Sequence, residues 1–223
     1  MPTDDRAETR ITAGWHRHGA AWAAAVRGRR IASRAAVTDK ALIDAILEQR
    51  PARLLDLGCG EGWLARSLAP KGIAVTGIDA SASLVDAARR AGGGDFRVAD
   101  YADLPADLGV FDLAVSNFAL LGHDPVEHLL AALPQFLRPG GRLLIQTLHP
   151  LAASDSPYAD GWREDSWAAF SDAVADPPPW YFRTLGSWVR LLSRHQWRLR
   201  ELREPAAPGA ARPASVLFIA QPD

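Results

Sequence analysis

Residues 54–62 read LLDLGCGEG, a short apolar run followed by three alternating glycines. The apolar part predicts a buried strand that ends at Gly58. Residues 63–68 then carry apolar side chains at helical spacing, and Pro70 ends that helix. The local structure is therefore strand, glycine turn and helix. Glycine suits such a turn because it adopts positive φ and lets a ligand approach the backbone N–H groups.

Two classes of cofactor bind at turns of this kind, and the glycine spacing separates them. A dinucleotide fingerprint is G-x-G-x-x-G, whereas this chain has G-x-G-x-G with Trp63 at the third-glycine position. A tryptophan there would obstruct close packing of helix on strand. Asp56 precedes the turn, where a carboxylate would repel a pyrophosphate but attract an ammonium group. The residues therefore favour a ligand with an ammonium group.

The pattern D-x-G-x-G-x-G over residues 56–62, placed after an apolar strand, resembles motif I of the class I S-adenosylmethionine-dependent methyltransferases. The resemblance covers about residues 42–220. It implies an α/β fold with a doubly wound, mostly parallel seven-stranded sheet, a Rossmann-like methyltransferase fold that ends in an antiparallel hairpin. It also implies S-adenosylmethionine as cofactor and S-adenosylhomocysteine as product.

Polar residues follow the next strands in order. Residues 73–79 predict a second strand whose last residue, Asp79, lies twenty-one positions after Gly58. An acid at about this distance accepts hydrogen bonds from both ribose hydroxyls. A third strand at residues 96–100 precedes Tyr101, and the resemblance implies that Asp100 and Tyr101 flank the adenine. A fourth strand at residues 111–117 ends in Asn117, which the resemblance places near the transferred methyl group.

These residues define the expected cofactor site. Its members are Asp56, Gly58, Cys59, Gly60, Asp79, Ala80, Asp100, Tyr101 and Asn117. Asp56 is expected near the methionine amine. Cys59 is interpreted as a small filler of the turn rather than a nucleophile, because no base adjoins it in the sequence. No metal is expected, since His123 and His128 are five positions apart and no cluster of acids or cysteines completes a ligand set.

The rest of the chain continues the alternation of strands and helices. We predict a helix at residues 126–137 that Pro134 bends or shortens, a fifth strand at 142–148 and a helix at 185–194. Strands at 197–202 and 214–220 are joined by a loop too short for a crossover helix, so they should form an antiparallel hairpin. The family resemblance implies that one reversed strand lies at the sheet edge. Parallel strands joined by crossovers bind ligands beyond their carboxyl ends.

Two regions outside this core are candidates for the acceptor side. Residues 1–37 are predicted to form a helical lid, in which the region 11–37 holds an amphipathic helix with Trp15 and Trp22, followed by a basic cluster. The cluster, Arg27, Arg29, Arg30 and Arg34, is explained at least as well by a solvated helix face as by phosphate binding. Residues 149–183 hold seven aromatics, namely Tyr158, Trp162, Trp167, Phe170, Trp180, Tyr181 and Phe182. This aromatic insert either anchors itself to the sheet or lines a largely apolar pocket. The candidate substrate-binding residues are Trp15, Trp162, Trp180, Tyr181 and Arg183.

Methyl transfer is an in-line displacement, so positioning and exclusion of water supply most of the rate. A hydroxyl acceptor also needs a base. His149, at the end of the fifth strand, is the first candidate and His123 the second, since histidine titrates near neutrality. Either histidine could instead be structural. Arg183 could clamp a substrate carboxylate or could simply be a surface residue at a helix start.

Composition limits the class of protein. The 223 residues carry 25 basic and 26 acidic side chains, a formal net charge of −1, so no global field favours nucleic acid or an anionic membrane. Ser116-Asn117-Phe118-Ala119 lacks the two prolines that nucleic-acid base methylases usually carry there. One domain is expected from the length. A single cysteine and the lack of an apolar run of about 18 residues suit a cytoplasmic protein.

The sequence therefore predicts an enzyme that transfers a methyl group from S-adenosylmethionine to a small metabolite, most readily at oxygen. It is similar to the broad group that methylates metabolites, including quinone precursors. Two alternatives stay open: a methyltransferase-like protein that binds cofactor without turnover, and a nicotinamide-dependent oxidoreductase, which the glycine spacing and Asp56 disfavour. The acceptor, the oligomeric state and the pathway are left open.

Overall fold

A computed structural model describes residues 4–152, 157–164 and 178–223. The helices are α1 (Asp4–Arg27), α2 (Asp39–Gln49), α3 (Trp63–Leu68), α4 (Ala82–Ala91), α5 (Asp124–Ala132) and α6 (Leu185–Arg194). The strands are β1 (Arg53–Leu57), β2 (Ala74–Asp79), β3 (Asp95–Val98), β4 (Phe111–Asn117), β5 (Leu137–Thr147), β6 (Gly161–Arg163), β7 (Trp180–Phe182), β8 (Trp197–Arg203) and β9 (Val216–Pro222).

Seven of these strands form one sheet in the order β3-β2-β1-β4-β5-β9-β8. Strands β1 to β5 are parallel, and β1 pairs with β2 on one side and β4 on the other. The chain thus builds outward from β1 in both directions. In such a sheet the helices on either side of the reversal point leave a crevice beyond the strand ends, where ligands bind.

Neighbouring residues of a strand point to opposite faces of the sheet, and helices cover both faces, so both sets of side chains are buried. Leu55 packs in a core that includes Leu129 of α5 and Leu192 of α6. Leu54 packs in a second core, together with Leu64 of α3 and Val85 of α4. This burial explains why β1 reads as an almost continuous apolar run.

The predicted doubly wound sheet and the antiparallel β8–β9 hairpin are confirmed. The position expected for the reversed strand is wrong, because β9 lies between β5 and β8 and is antiparallel to both. Ala220 pairs with Leu143 of β5 and with Leu199 of β8. The crossover through α6 returns the chain parallel to β5 and leaves a space one strand wide, which β9 fills.

Other helices and strands begin or end at residues that differ from the predicted ones, for local reasons. The helix α5 ends at Ala132 and Pro134 lies in a short 3-10 turn, residues 133–136, as proline's missing N–H requires. Strand β5 begins at Leu137, earlier than expected, and its register on β4 shifts across the proline-glycine segment. The amphipathic helix expected before the basic cluster is α1, which begins already at Asp4, and residues 34–38 form a π-helical turn before α2.

Within the aromatic insert, β6 and β7 form a two-stranded antiparallel sheet. Trp180 and Phe182 of β7 are buried against Leu121, and Ile11 and Trp15 of α1 pack on the same cluster. Trp167 and Phe170 lie outside the described residues. Across the described ranges, no helix has the length and apolar character needed to span a membrane.

Candidate functional site

A cavity of about 330 Å³ lies at the carboxyl ends of β1, β2 and β4, with α1 forming part of its wall. Eight of the nine predicted cofactor residues line it, namely Gly58, Cys59, Gly60, Asp79, Ala80, Asp100, Tyr101 and Asn117. The ninth, Asp56, is buried at 2% exposure and does not line the cavity. The topology therefore brings together residues that are separated by up to sixty positions in the chain.

Two glycines of the turn, Gly60 and Gly62, are required for different reasons. Gly60 has φ +54° and a Cβ there would meet nothing within 4 Å, so this position opens toward the cavity. Gly62 has φ +78°, and a Cβ there would lie 2.8 Å from the Phe96 ring. Gly62 thus allows the close approach of helix and sheet, and Trp63 can line the cavity without obstructing that packing.

Asp79 is held at the end of β2 by two backbone donors. Its Oδ2 accepts a hydrogen bond from Gly60 N at 2.9 Å and its Oδ1 accepts one from Ser81 N at 2.8 Å. Burial raises the pKa of Asp79, and these two N–H groups oppose the rise. Each carboxylate oxygen retains a second lone pair, so the pair of oxygens matches the two hydroxyls of a ribose.

A buried acid and a buried base meet near the turn with unused hydrogen-bonding atoms. Among the described residues, neither Asp56 Oδ2 nor Arg34 Nη2 has a hydrogen-bond partner. Burial raises the pKa of Asp56 to about 7, Asp79 adds to this rise, and Arg34 opposes it. Arg34 Nη2 in the cavity wall suits the carboxylate of an amino acid, and the buried Asp56 nearby suits its ammonium group through charge attraction; these two groups form the polar end of S-adenosylmethionine.

Arg34 lines the cavity, a role that no sequence pattern indicated. Its Nε donates to Asp39 Oδ1 at 2.8 Å, and its guanidinium lies 4.5 Å above the Trp63 ring. The solvated face predicted for the basic cluster is wrong for Arg34, which is 8% exposed, whereas Arg27 is exposed while pairing with buried Glu61 at 2.7 Å. Arg34 is turned inward by the π-helical turn, for which the sequence shows no recognised signal.

The end of β4 is held in a strained conformation. Asn117 Oδ1 accepts a hydrogen bond from Gln146 Nε2 at 2.8 Å, and Phe118 N donates to Gln146 O at 2.8 Å. Phe118 has φ +54°, a conformation that costs a non-glycine residue about 1–3 kcal/mol. Asn117 and Phe118 both line the cavity, so the strain coincides with the place where strand order reverses.

Helix α1 is fixed over the cavity near both of its ends. Glu8 Oε1 accepts a hydrogen bond from His123 N at 2.6 Å, at the start of α5. Toward the other end, Arg27 binds Glu61, which also accepts from Arg66 at 2.6 Å. Glu8 and Glu61 both line the cavity, and neither was predicted, because only the folded helix brings them there.

The structure does not bring the predicted base His149 to the cavity. Its side chain is fully buried, Nε2 lies 2.8 Å from Glu204 Oε1, and Nδ1 accepts a hydrogen bond from Leu151 N at 3.1 Å. The chain turns at Pro150, which places the ring against the loop of the β8–β9 hairpin. Both ring nitrogens are therefore engaged in structural contacts.

His123 lies at the rim rather than in the cavity. It precedes α5, its Nδ1 lies 2.6 Å from Asp124 Oδ1, and its ring packs 4.5 Å from that of Tyr181. Its neighbours Gly122 and Pro125 line the cavity, but His123 does not.

Of the five candidate substrate-binding residues, only Trp15 lines the cavity. Trp162 and Tyr181 form an edge-to-face pair at 5.4 Å across β6 and β7, and Trp180 pairs with Phe182 at 5.8 Å. The described aromatics of the insert thus anchor it, as in the first of the two alternatives, and none of them is among the residues that line the cavity.

Arg183 is buried at 5% exposure rather than lying at a surface helix start. It donates to Gly122 O at 2.8 Å and to His123 O at 3.2 Å, and burial lowers its pKa to about 10. Arg183 supports the backbone that precedes α5 and does not line the cavity. A search of the described ranges for three or more metal-ligating side chains in one place found no such group.

Comparison with known proteins agrees with this geometry. Residues 55–145 match the family model described as a methyltransferase domain. The malonyl-[acyl-carrier protein] O-methyltransferase of Enterobacter lignolyticus is 38% identical over 125 residues, 55% of this chain and 49% of that protein. The ubiquinone biosynthesis O-methyltransferase of Xanthomonas oryzae pv. oryzae is 39% identical over 120 residues, 50% of this chain and 49% of that protein. The chain thus spans about half the length of these relatives.

A solved structure extends the similarity beyond the matched domain. The S-adenosylmethionine-dependent methyltransferase from Mesorhizobium loti superposes with a TM-score of 0.59 at 28% identity, over 75% of this chain and 89% of that one. The sheet order and the glycine turn followed by Asp79 agree with these similarities. Residues 55–145 are similar to a methyltransferase domain, and the chain has the fold of the S-adenosylmethionine-dependent methyltransferase from Mesorhizobium loti.

Proposed function

We propose that this chain is an S-adenosylmethionine-dependent methyltransferase that transfers a methyl group to an oxygen atom of a small molecule. The observation that carries the proposal is the cavity itself. It combines an acid suited to a ribose with the Arg34 guanidinium, whose Nη2 has no hydrogen-bond partner among the described residues, at a glycine turn. When bound, S-adenosylmethionine would supply a methyl group made electrophilic by its sulfonium.

Each part of the cavity then has a task in binding. In this proposal Asp79 accepts hydrogen bonds from the ribose hydroxyls, and Asp100 and Tyr101 bound the adenine. Arg34 holds the carboxylate of the methionine portion, and Asp56 favours its ammonium group through charge attraction. Gly58, Cys59 and Gly60 leave room for the ligand along the turn, while Ala80 and Asn117 complete the walls.

The same arrangement supports catalysis by positioning. Helix α1 lines the cavity with Trp15 and Trp22 and is tied down near both ends, so it would exclude water from the reacting atoms. An in-line displacement gains most from such fixed geometry. The relatives named as O-methyltransferases support oxygen as the acceptor atom.

The proposal extends to the setting of the enzyme. A net charge of −1 supports a small-molecule acceptor over a nucleic acid, and a single, buried cysteine suits a reducing cytoplasm.

A binding experiment and an activity experiment test the proposal separately. Calorimetry should show S-adenosylhomocysteine binding and no NADH binding. Incubation with S-adenosylmethionine and pooled phenols, amines and acids should then give a methylated product detectable by mass spectrometry. Binding without any product would instead support the alternative of a cofactor-binding protein without turnover.

A further inference from the structure

One side of the cavity, here called its second compartment, is lined by residues outside the predicted cofactor site. It lies between the first turns of α1 and the connection from β4 to α5. Its lining residues are Glu8, Thr9, Ile11, Thr12, Phe118, Ala119, Gly122 and Pro125. In the part of the chain that the structure describes, Glu8 is the one charged side chain in this set.

Glu8 lies beside the connection from β4 to α5, where it adjoins Gly122. Ala119, three residues earlier in that connection, adjoins Gly58 of the glycine turn, since a Cβ at Gly58 would clash with its side chain. Glu8 therefore lies on the side of the cavity where Asn117 and Phe118 end β4. That is the side left for a methyl acceptor.

The carboxylate of Glu8 is held by backbone N–H groups at the start of α5. Oε1 accepts the hydrogen bond from His123 N at 2.6 Å, and the backbone N–H of Asp124 also interacts with the carboxylate. A Cβ at Gly122 would lie only 2.5 Å from Oε2, so a side chain there would displace the carboxylate. Glycine at 122 permits the approach, and the two N–H donors leave some lone pairs of the carboxylate unused.

The surroundings also favour a carboxylate that can take up a proton. Burial raises the pKa of Glu8 above its ordinary value, although the backbone N–H groups of His123 and Asp124 oppose the rise. A base is most effective when its pKa approaches the working pH. His149 and His123, the other titratable candidates, do not line the cavity.

We propose, on the basis of the function proposed above, that Glu8 is the general base of the reaction and that it selects acceptors with a reacting hydroxyl on an apolar or aromatic body. The hydroxyl proton passes to Glu8 Oε2 as the oxygen lone pair forms the bond to the methyl carbon. The carbon–sulfur bond breaks with its electron pair moving to sulfur, which yields an ether and a neutral thioether. Glu8 then returns its proton to water.

Charge makes this choice of acceptor specific. A carboxylate acceptor would meet the Glu8 carboxylate with no cation from the described lining residues of this compartment to balance the two charges. Arg183, the buried cation nearby, is separated from the cavity by the carbonyls of Gly122 and His123 to which it donates. Ile11, Phe118 and Pro125 offer apolar contact to the body of the acceptor.

The first test uses the variant Glu8→Gln, which retains an oxygen that can accept from His123 N. Turnover of catechol should fall by about 100-fold, with S-adenosylhomocysteine affinity within about threefold of wild type, and the acidic limb of the pH–rate profile should disappear. Gly122→Ala, which displaces the same carboxylate, should have the same effects. Arg27→Gln is the matched control for attachment of α1, and its pH–rate profile should keep the acidic limb.

The second test does not depend on turnover. The absorbance of 4-nitrocatechol reports its ionisation when it is bound to the complex with S-adenosylhomocysteine. A neighbouring carboxylate raises the pKa of a bound phenol, so replacing Glu8 with Gln should lower the pKa of bound 4-nitrocatechol by about one unit. A purely structural Glu8 would leave that pKa unchanged.

The outcomes separate this inference from the proposed function. Absence of S-adenosylhomocysteine binding would overturn the function itself. Methyl transfer with unchanged turnover, pH profile and 4-nitrocatechol pKa in Glu8→Gln would overturn only the role of Glu8. Faster methylation of carboxylic acids or of amines than of phenols would overturn the proposed acceptor class.

Discussion

Buried charges with incomplete hydrogen bonding distinguish the residues of this cavity from those of an ordinary core. Asp56 and Arg34 each leave one polar atom without a partner among the described residues, although such atoms cost free energy when buried. Asp79, in contrast, has both oxygens hydrogen-bonded to backbone. A ligand that supplies the missing partners would turn this cost into binding free energy.

Asp56 should make stability depend on pH. Its folded pKa of about 7 lies above the ordinary aspartate pKa of 3.8, so the folded protein binds more protons than the unfolded chain between these values. The free energy of unfolding therefore falls as pH rises through this window and stays low above it. Asp56→Asn should be more stable than wild type at pH 8, by up to about 4 kcal/mol, and no more stable at pH 4.

Urea denaturation at both pH values measures this difference. The titration of other groups contributes equally to wild type and variant, so the comparison isolates Asp56. If the free energy of unfolding changes with pH by the same amount in both proteins, Asp56 does not carry the raised pKa.

Arg34 should be needed for cofactor affinity. Arg34→Gln removes the guanidinium beside Trp63, and the dissociation constant for S-adenosylhomocysteine should rise by about tenfold or more, as expected for loss of a charge-assisted contact. The exposed neighbour Arg30 provides the matched control, and Arg30→Gln should bind as wild type does. Equal affinity of the two variants would remove Arg34 from the site.

The place of a residue in the site could be predicted from the sequence where the length of a β-α-β unit determines it. Asp79 follows Gly58 by one β-α-β unit, so its spacing along the chain fixes its place beside the turn. Arg34 and Glu8 have no such constraint, because their places depend on how residues 4–38 fold over the sheet. His149 was misplaced for a related reason: the strand end was predicted, but not the turn at Pro150 that directs its ring away.

At the scale of elements, α1 is held over the cavity by polar contacts toward each end, among them Glu8 with His123 N and Arg27 with Glu61. The contact at Arg27 is half exposed on the arginine side, and Glu61 keeps Arg66 as a second partner when Arg27 is removed. Each contact alone is therefore of modest strength. Together they bring one helix to both the glycine turn and the start of α5.

Loss of one contact should loosen one end of α1. In Arg27→Gln, amide hydrogen exchange should become several-fold faster over residues 19–27 and remain unchanged near Glu8, since loss of a partly exposed ion pair costs about 1 kcal/mol. Exchange mass spectrometry of wild type and variant measures this. Equal acceleration along the whole helix would mean that α1 moves as one rigid unit.

Helices and strands were predictable where the spacing of apolar residues agrees with the proline and glycine residues that bound each segment. The fourth strand and the helix at 185–194 have the predicted bounds, and the short loop between the last strands correctly indicates a hairpin. The pairing of β9 with β5 is a long-range contact that no local pattern encodes. The start of β5 was misjudged because proline and glycine usually end a strand, whereas here they lie in an irregular stretch of it.

For the whole molecule, one sheet explains why distant segments share a site. Strands β1, β2, β3 and β4 are parallel, so the polar residues that follow them meet at one edge. The sequence predicts this edge well because each strand contributes one local signal. The acceptor compartment was harder to predict, since the aromatics of the insert were expected to line it and those described instead anchor β6 and β7 beside α1.

Isothermal titration calorimetry of the purified chain probes the methyl donor without knowledge of the acceptor. S-adenosylhomocysteine should bind with one site per chain, Asp79→Asn should weaken that binding by at least about tenfold, and NADH should give no signal. Saturable NADH binding together with no binding of S-adenosylhomocysteine would contradict the assignment of this cavity to S-adenosylmethionine.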